Sequence, residues 1–176
     1  MSDRPVAANE VVRAARPVDP AREALKRTFG AFPTGVTVVT TTGPDGPVGF
    51  TANSFTSVSL DPPLLLVCHG THASSHPTFR AAGGFAVNIL AADQEGLATR
   101  FASKVPDRFA GVDWRPGRGG PLLAETAAWL DCETHAMHEA GDHTIMVGRI
   151  RDHDARDVEA LAYWRGRFLP GLGADA

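Results

Sequence analysis

The sequence predicts a mainly β domain with a few short helices inserted between the strands. Short β-branched or apolar runs recur along the chain. Clusters of Gly, Pro and Asp punctuate them. Regular alternation of strands with long helices is missing, which argues against a doubly wound parallel sheet. There is no internal repeat.

Taken in order, residues 1–18 are rich in Ala, Pro and Arg and read as a flexible N-terminal segment. One domain is expected over 19–172. Asp19 followed by Pro20 reads as an N-cap and first helical position. Leu25, Phe29 and Phe32 then recur at helical spacing, and Gly30 and Pro33 close the helix. The β-branched stretch 36–42 predicts a strand. Gly43-Pro44-Asp45-Gly46 predicts a type I turn, and 48–53 a second strand completing a hairpin. Asp61-Pro62-Pro63 is a break. The apolar run 64–68 predicts a buried strand, and 74–82 a short helix with Pro77 in its first turn. Gly83-Gly84 ends that helix, and 85–90 is the next strand. Residues 93–103 look helical, with Leu97 and Phe101 on one face. The Gly-, Pro- and Arg-rich stretch 105–120 predicts a long loop of the kind that carries function. Strands are expected near 127–137 and 144–151 with Gly141-Asp142 as their turn, and a last short helix at 157–163.

The bulk properties narrow the function. The chain has 176 residues, which suits one domain able to bury a core without metals or disulfides. A net charge of −3 and a pI near 6.1 give no electrostatic case for nucleic-acid or membrane binding. Cys68 and Cys132 lack CxxC spacing and read as free thiols of a reducing compartment. No run reaches the ~18 apolar residues of a membrane span. The charged start has no apolar signal core, so a cytoplasmic protein is expected.

One window departs from average composition. Residues 30–79 carry only two charged side chains, Asp45 and Asp61, where the chain average predicts about ten. The same window holds fourteen Ser and Thr, densest at Thr51-Ala52-Asn53-Ser54-Phe55-Thr56-Ser57-Val58-Ser59. Hydroxyls are cheaper to bury than charges, but once buried they need hydrogen-bond partners. Two sources of partners stay open at this point: a polar, flat-ringed ligand, or the backbone of the sheet itself.

Known chemical signatures are few. There is neither a P-loop nor a GxGxxG fingerprint. Ser74 and Ser75 precede the helix containing Pro77, a weak anion-site pattern that an ordinary N-cap explains as well. Of seven histidines, His69, His72 and His76 cluster, as do His135, His138 and His143. None has zinc-site spacing, so no metal is assigned. No GxSxG or SxxK marks a nucleophile. His143 follows Gly141-Asp142 into a strand, where an imidazole can donate a hydrogen bond or carry charge near neutral pH.

Together these stretches resemble the flavin reductase-like family, which includes the reductase components of two-component flavin monooxygenases. The resemblance rests on Phe32-Pro33-Thr34-Gly35-Val36-Thr37-Val38-Val39-Thr40, on residues 51–64, on Phe85-Ala86-Val87-Asn88-Ile89-Leu90, on Phe101-Ala102, on Gly141-Asp142-His143 with Val147-Gly148, and on Tyr163-Trp164-Arg165-Gly166-Arg167-Phe168. It spans about residues 25–170. The His-rich stretch 69–76 departs from the family's usual small polar residues.

The resemblance implies an FMN-binding split β-barrel of Greek-key-like connectivity, dimerising with flavin near the interface. It places Thr34 and Gly35 near the flavin, and Thr51, Ala52, Asn53 and Ser54 along the isoalloxazine. Thr56 and Ser57 fall at the ribityl and phosphate region, and Cys68 beside the ring. Ser74 and Ser75 fall at the phosphate, and Phe101 and Ala102 against the ring. His143, Tyr163, Arg165, Gly166 and Arg167 fall at the nicotinamide nucleotide, with His143 as the candidate catalytic residue. The implied reaction is hydride transfer from NADH or NADPH to N5 of FMN or FAD. It needs positioning of two rings and no protein nucleophile. Reduced flavin would then pass to a partner monooxygenase. Two alternatives stand beside it: a flavoprotein oxidase with tightly held FMN acting on a small substrate, and a non-catalytic flavin or haem binder. A metal hydrolase built on the histidines is a more distant third.

Overall fold

The computed structural model describes residues 19–169. The expected flexible segment 1–18 and the expected domain end at 172 lie outside the described residues.

Helix α1 (Pro20–Phe29) starts where the sequence places it. The Asp19 carboxylate accepts the Ala21 N–H at 3.0 Å, and Pro20 takes the first helical position. Its apolar positions do not reach the core: Leu25, Phe29 and the following Phe32 remain 51, 68 and 75% exposed. Strands β1 (Thr34–Gly35), β2 (Thr37–Gly43) and β3 (Gly46–Ala52) follow, the last two as a hairpin in which Gly46 adopts a φ of 115° that favours glycine. Next come the hairpin β4 (Thr56–Leu60) and β5 (Pro63–Gly70), helix α2 (His76–Ala81), strand β6 (Gly84–Ile89) and helix α3 (Glu95–Ala102).

Three expectations are corrected beyond this point. The stretch 105–120 is not loop throughout: β7 (Trp114–Pro116) lies within it and pairs with β8 (Pro121–Leu123). The long hairpin β9 (Ala128–Ala140) and β10 (His143–Ala155) extends past the sequence-based bounds. The last helix, expected over 157–163, does not form. Leu161 instead accepts from the Val36 N–H and donates to the Leu90 carbonyl, and the chain continues as β11 (Ala162–Trp164) and β12 (Arg167–Leu169). Burial of Leu161 and Ala162 between those strands outweighs a weak local helical pattern.

The main sheet has seven strands in the order β3-β2-β6-β9-β10-β5-β4. Its hairpins β2–β3 and β4–β5 are consecutive in sequence but lie at opposite ends of the sheet, the connectivity of a Greek-key-like barrel. The sheet curls until Phe50 of β3 stacks flat on His69 of β5, with ring centroids 3.9 Å apart. No ladder joins these two strands, so the barrel is closed by side chains and split along that seam.

Strand β2 has a core on each side. Val39 points into the barrel with Leu65, Val67, Phe79, Phe85, Val87 and Met146. Val38 points outward to a second core under α3 with Leu90, Ala98, Phe101 and Leu161. Each large side chain buried this way contributes roughly 1.5–3 kcal/mol. With both faces covered, the threonines of β2 need internal partners, and the backbone provides them. Thr37 Oγ1 donates to the Ala52 carbonyl, Thr40 Oγ1 to Pro121, and Thr41 Oγ1 to Gly84 and Gly119.

The glycine-rich connection from β7 to β8 is fastened by Asp131, which is 4% exposed. Its two carboxylate oxygens accept the N–H groups of Arg118 and Gly119, each at 2.7 Å. Gly120 lies so close to β2 that a Cβ would stand 2.4 Å from the Thr40 carbonyl oxygen. Asp131→Ala strands the buried Gly119 N–H and frees the part-buried Arg118 N–H, and is expected to cost about 1–3 kcal/mol, read as a lower urea midpoint with an unchanged m-value.

Candidate functional site

Two cavities collect most of the residues singled out from sequence. The first, about 790 Å³, lies between β3, the end of β5, the turn before α2 and the C-terminal end of α3. Thr51, Ser74, Ser75, Phe101 and Ala102 line it. The second, about 840 Å³, lies between the end of α1, β1, the residue after β3 and the β11–β12 turn. Thr34, Asn53, Tyr163, Arg165 and Gly166 line it. No lining residue is shared, yet Thr51 and Asn53 stand only two positions apart, so the end of β3 is the wall between them.

The other residues singled out line neither cavity: Gly35, Ala52, Ser54, Thr56, Ser57, Cys68, His143 and Arg167. Ser54 Oγ accepts the Cys68 N–H at 2.9 Å and ties the β3–β4 link to β5. Thr56 and Ser57 are exposed on the edge strand β4. His143 opens β10 at the surface. Its Nδ1 lies 2.7 Å from Asp142 Oδ1, and Arg22 of α1 reaches the same carboxylate at 3.4 Å. The hydrogen bond from His143, then its charge, hold the Asp142 carboxyl below its usual range. Nδ1 being engaged, Nε2 is the free nitrogen, on the side of Gly70 at the rim of the first cavity.

The first cavity has features the sequence did not announce. His69 is 1% exposed, and burial, then the neighbouring His76, push its pKa down to about 4. It is therefore neutral at pH 7. Its Nε2 lies 3.2 Å from Ser75 Oγ. Ser75 thus does not cap α2 with its side chain; it orients the histidine. Gly49 leaves room for the Phe101 ring, which would be 2.9 Å from a Cβ there. Arg108 donates from Nη1 to the Gly49 carbonyl and from Nε to the Ser103 carbonyl. It forms no ion pair among the described residues, and Ser74, Lys104 and the acidic Asp107 line the same cavity. Lys104 and Arg108 were not singled out, although Arg108 falls in the stretch the sequence marks as a functional loop. Among the described residues no group of His, Cys, Asp and Glu is arranged to hold a metal ion.

These residues fit a flavin. The first cavity offers a flat aromatic wall, hydroxyls and two basic side chains, Lys104 and Arg108, which suit a ring, a ribityl chain and a phosphate. The buried Thr34 Oγ1 beside the second cavity has no partner among the described residues, as a hydroxyl awaiting a ligand would not.

The architecture and cavities define a split-barrel fold built to hold a flat redox ring. Residues 29–171 match the family model described as flavin reductase like domain. The chain is 52% identical over 156 residues to the stachydrine N-demethylase reductase subunit of Rhizobium meliloti, covering 87% of this chain and 68% of that one. It is 45% identical to the FMN reductase (NADH) of Agrobacterium fabrum, covering 82% and 83%. Of two further relatives it spans about half, 50% and 47% of their lengths. Among solved structures, an NADH:FAD oxidoreductase of Streptomyces globisporus in complex with NAD and FAD fragments superposes with a TM-score of 0.84 at 46% identity, covering 92% of this chain and 99% of that one. The chain belongs to the flavin reductase like domain family. Its reaction class is that of an NAD(P)H:flavin oxidoreductase.

The buried neutral His69 has a measurable consequence. Between its ordinary pKa of 6.5 and about 4 the folded protein binds fewer protons than the unfolded chain. Stability is therefore expected to fall as pH drops through that window, by about 3 kcal/mol when complete. His69→Phe keeps the stack on Phe50 and removes the titration. Its urea midpoint should vary less than the wild type's between pH 6.5 and 4.5.

Proposed function

We propose that this chain reduces FMN or FAD with NADH or NADPH and releases the reduced flavin to a separate flavin-dependent monooxygenase. The carrying observation is the pair of cavities that share the end of β3 as their wall, one suited to a flavin and the other to a second, nucleotide-sized reactant. The flavin, when bound, supplies the acceptor for the hydride. The protein's part is to hold the two reactants in contact and keep water from between them. Phe101 and Ala102 form one wall of the flavin groove. Ser74, Lys104 and Arg108 hold its phosphate end. His143, with Nδ1 fixed by Asp142, presents Nε2 at the rim of the flavin groove, where the nicotinamide end of the nucleotide must reach to meet the ring. The named activities of the relatives in Agrobacterium fabrum and Streptomyces globisporus support NADH as the donor. Relatives that are reductase components of monooxygenases support the hand-over.

A homodimer belongs to the same reading. Edge strand β4 leaves Val58 and Leu60 49 and 96% exposed, an apolar, unpaired edge that a second copy would cover. A cytoplasmic setting is proposed with it, since the donor and the free flavin are both held there. Among the described residues, no helix is long and apolar enough to cross a membrane.

The test is NADH and NADPH consumption by the purified protein, with and without added FMN or FAD. Rapid consumption that depends on added flavin is the expected result. Consumption indifferent to free flavin, with yellow protein as purified, would sink the diffusible-flavin reading. His143→Ala should lower kcat/KM for NADH by about 10–100-fold, the worth of one hydrogen bond to a charged partner. Sedimentation velocity should give a species of twice the chain mass; Leu60→Asp should shift it toward the single chain.

A further inference from the structure

We infer that the last turn of α1 is part of the dinucleotide site, and that Arg27 is the residue that grips the pyrophosphate of NAD(P)H. The inference rests on the proposed reductase reading and adds to it an element that neither motif nor resemblance singled out.

Four observations converge. The second cavity presents three basic side chains, Lys26, Arg27 and Arg165, and no acidic one. Lys26 Nζ pairs with Glu23 at 2.7 Å, and the Arg165 guanidinium lies 4.6 Å over the Trp164 ring, a neutral partner that leaves its charge in place. Neither arginine forms an ion pair among the described residues, and Arg27, with no ring partner, is the freer of the two to meet an anion. The aromatic lining, Phe29, Phe32 and Tyr163, supplies faces for flat rings, and the two phenylalanines are two-thirds or more exposed.

The third observation is how α1 is held. None of its residues is buried, so hydrophobic packing does not position it. Its end is pinned to the β11–β12 turn instead: the Arg165 N–H donates to the Gly30 carbonyl, and Trp164 Nε1 to the Ala31 carbonyl, both at 3.1 Å. A helix fixed through polar bonds beside a cavity, while its apolar side chains stay uncovered, is placed to serve the cavity. The fourth is backbone strain in that turn. Arg165 has a φ of 48° and is followed by Gly166 at 81°. Asn, Asp or Gly is the ordinary choice at the first of these positions, and an arginine held there marks a position kept for its side chain. Arginine, with its planar fork of donors, matches two adjoining phosphates better than lysine does.

The test compares wild type, Arg27→Gln and Arg27→Lys in two assays. In steady-state turnover, Arg27→Gln should raise KM about tenfold for both NADH and NADPH, with kcat within twofold and the flavin KM unchanged. Arg27→Lys should recover part of the loss. In calorimetry of the flavin-free protein with NAD⁺, the Kd should weaken by the same factor. Thermal midpoints should match, since the Arg27 side chain makes no hydrogen bond or ion pair among the described residues. An unchanged NADH KM and NAD⁺ affinity in an active Arg27→Gln enzyme would overturn the assignment and leave the reductase reading standing. A loss confined to NADPH would overturn the pyrophosphate assignment in favour of the ribose phosphate. Wild-type protein that consumes no NADH would instead overturn the reading on which the inference rests.

Discussion

A strand covered on both faces has no outlet to water, and β2 is such a strand from Thr37 to Thr41. Val39 belongs to the barrel core and Val38 to the core beneath α3, so β2 is where the two cores meet. Charges are excluded from it, and its threonines survive burial because carbonyls from β3, from Gly84 and from the 119–121 segment accept their hydroxyl protons. The same bonds set the position of the glycine connection before β8, which Asp131 secures from the other side. Shift β2 and the barrel, the α3 layer and the 105–120 stretch all lose their reference.

The site follows from that arrangement. Pairing with β2 fixes β3, and the end of β3 divides the two cavities. The Phe50–His69 stack closes the barrel without backbone bonds, leaving a seam beside the groove where the flavin is proposed to lie. Hydride transfer demands little of the protein's own chemistry and much of its geometry. A rigid double core with two adjoining cavities meets that demand.

Much of this was legible in the chain. The N-cap at Asp19, the β2–β3 hairpin, the β9–β10 turn and the order of the motifs all follow from local chemistry or from a shared pattern. The scarcity of charge in 30–79 corresponds to burial in β2 but not in the Ser- and Thr-rich stretch 53–60, where no residue is buried. For Thr37, Thr40, Thr41 and Thr51 the partner is the backbone, whereas Thr34 Oγ1 has none among the described residues. One residue type in one window serves two purposes, and composition cannot separate them. Arg108 was missed because its role depends on Gly49 and Ser103, which come near it only in the fold.

By itself the sequence determined the class of fold, the family and the segments that carry the site, because strand propensity, turn chemistry and motif order are properties of neighbouring residues. The tertiary structure decided the rest. It turned the expected C-terminal helix into β11, since Leu161 is stabilised more by pairing with Val36 and Leu90 than by its own turn. It left the apolar face of α1 uncovered and brought Arg27 to a cavity with Tyr163 and Arg165. It made His69 neutral by burying it between Phe50 and Phe79. Each of these depends on residues distant in the chain meeting in space, and local preference has no term for such meetings.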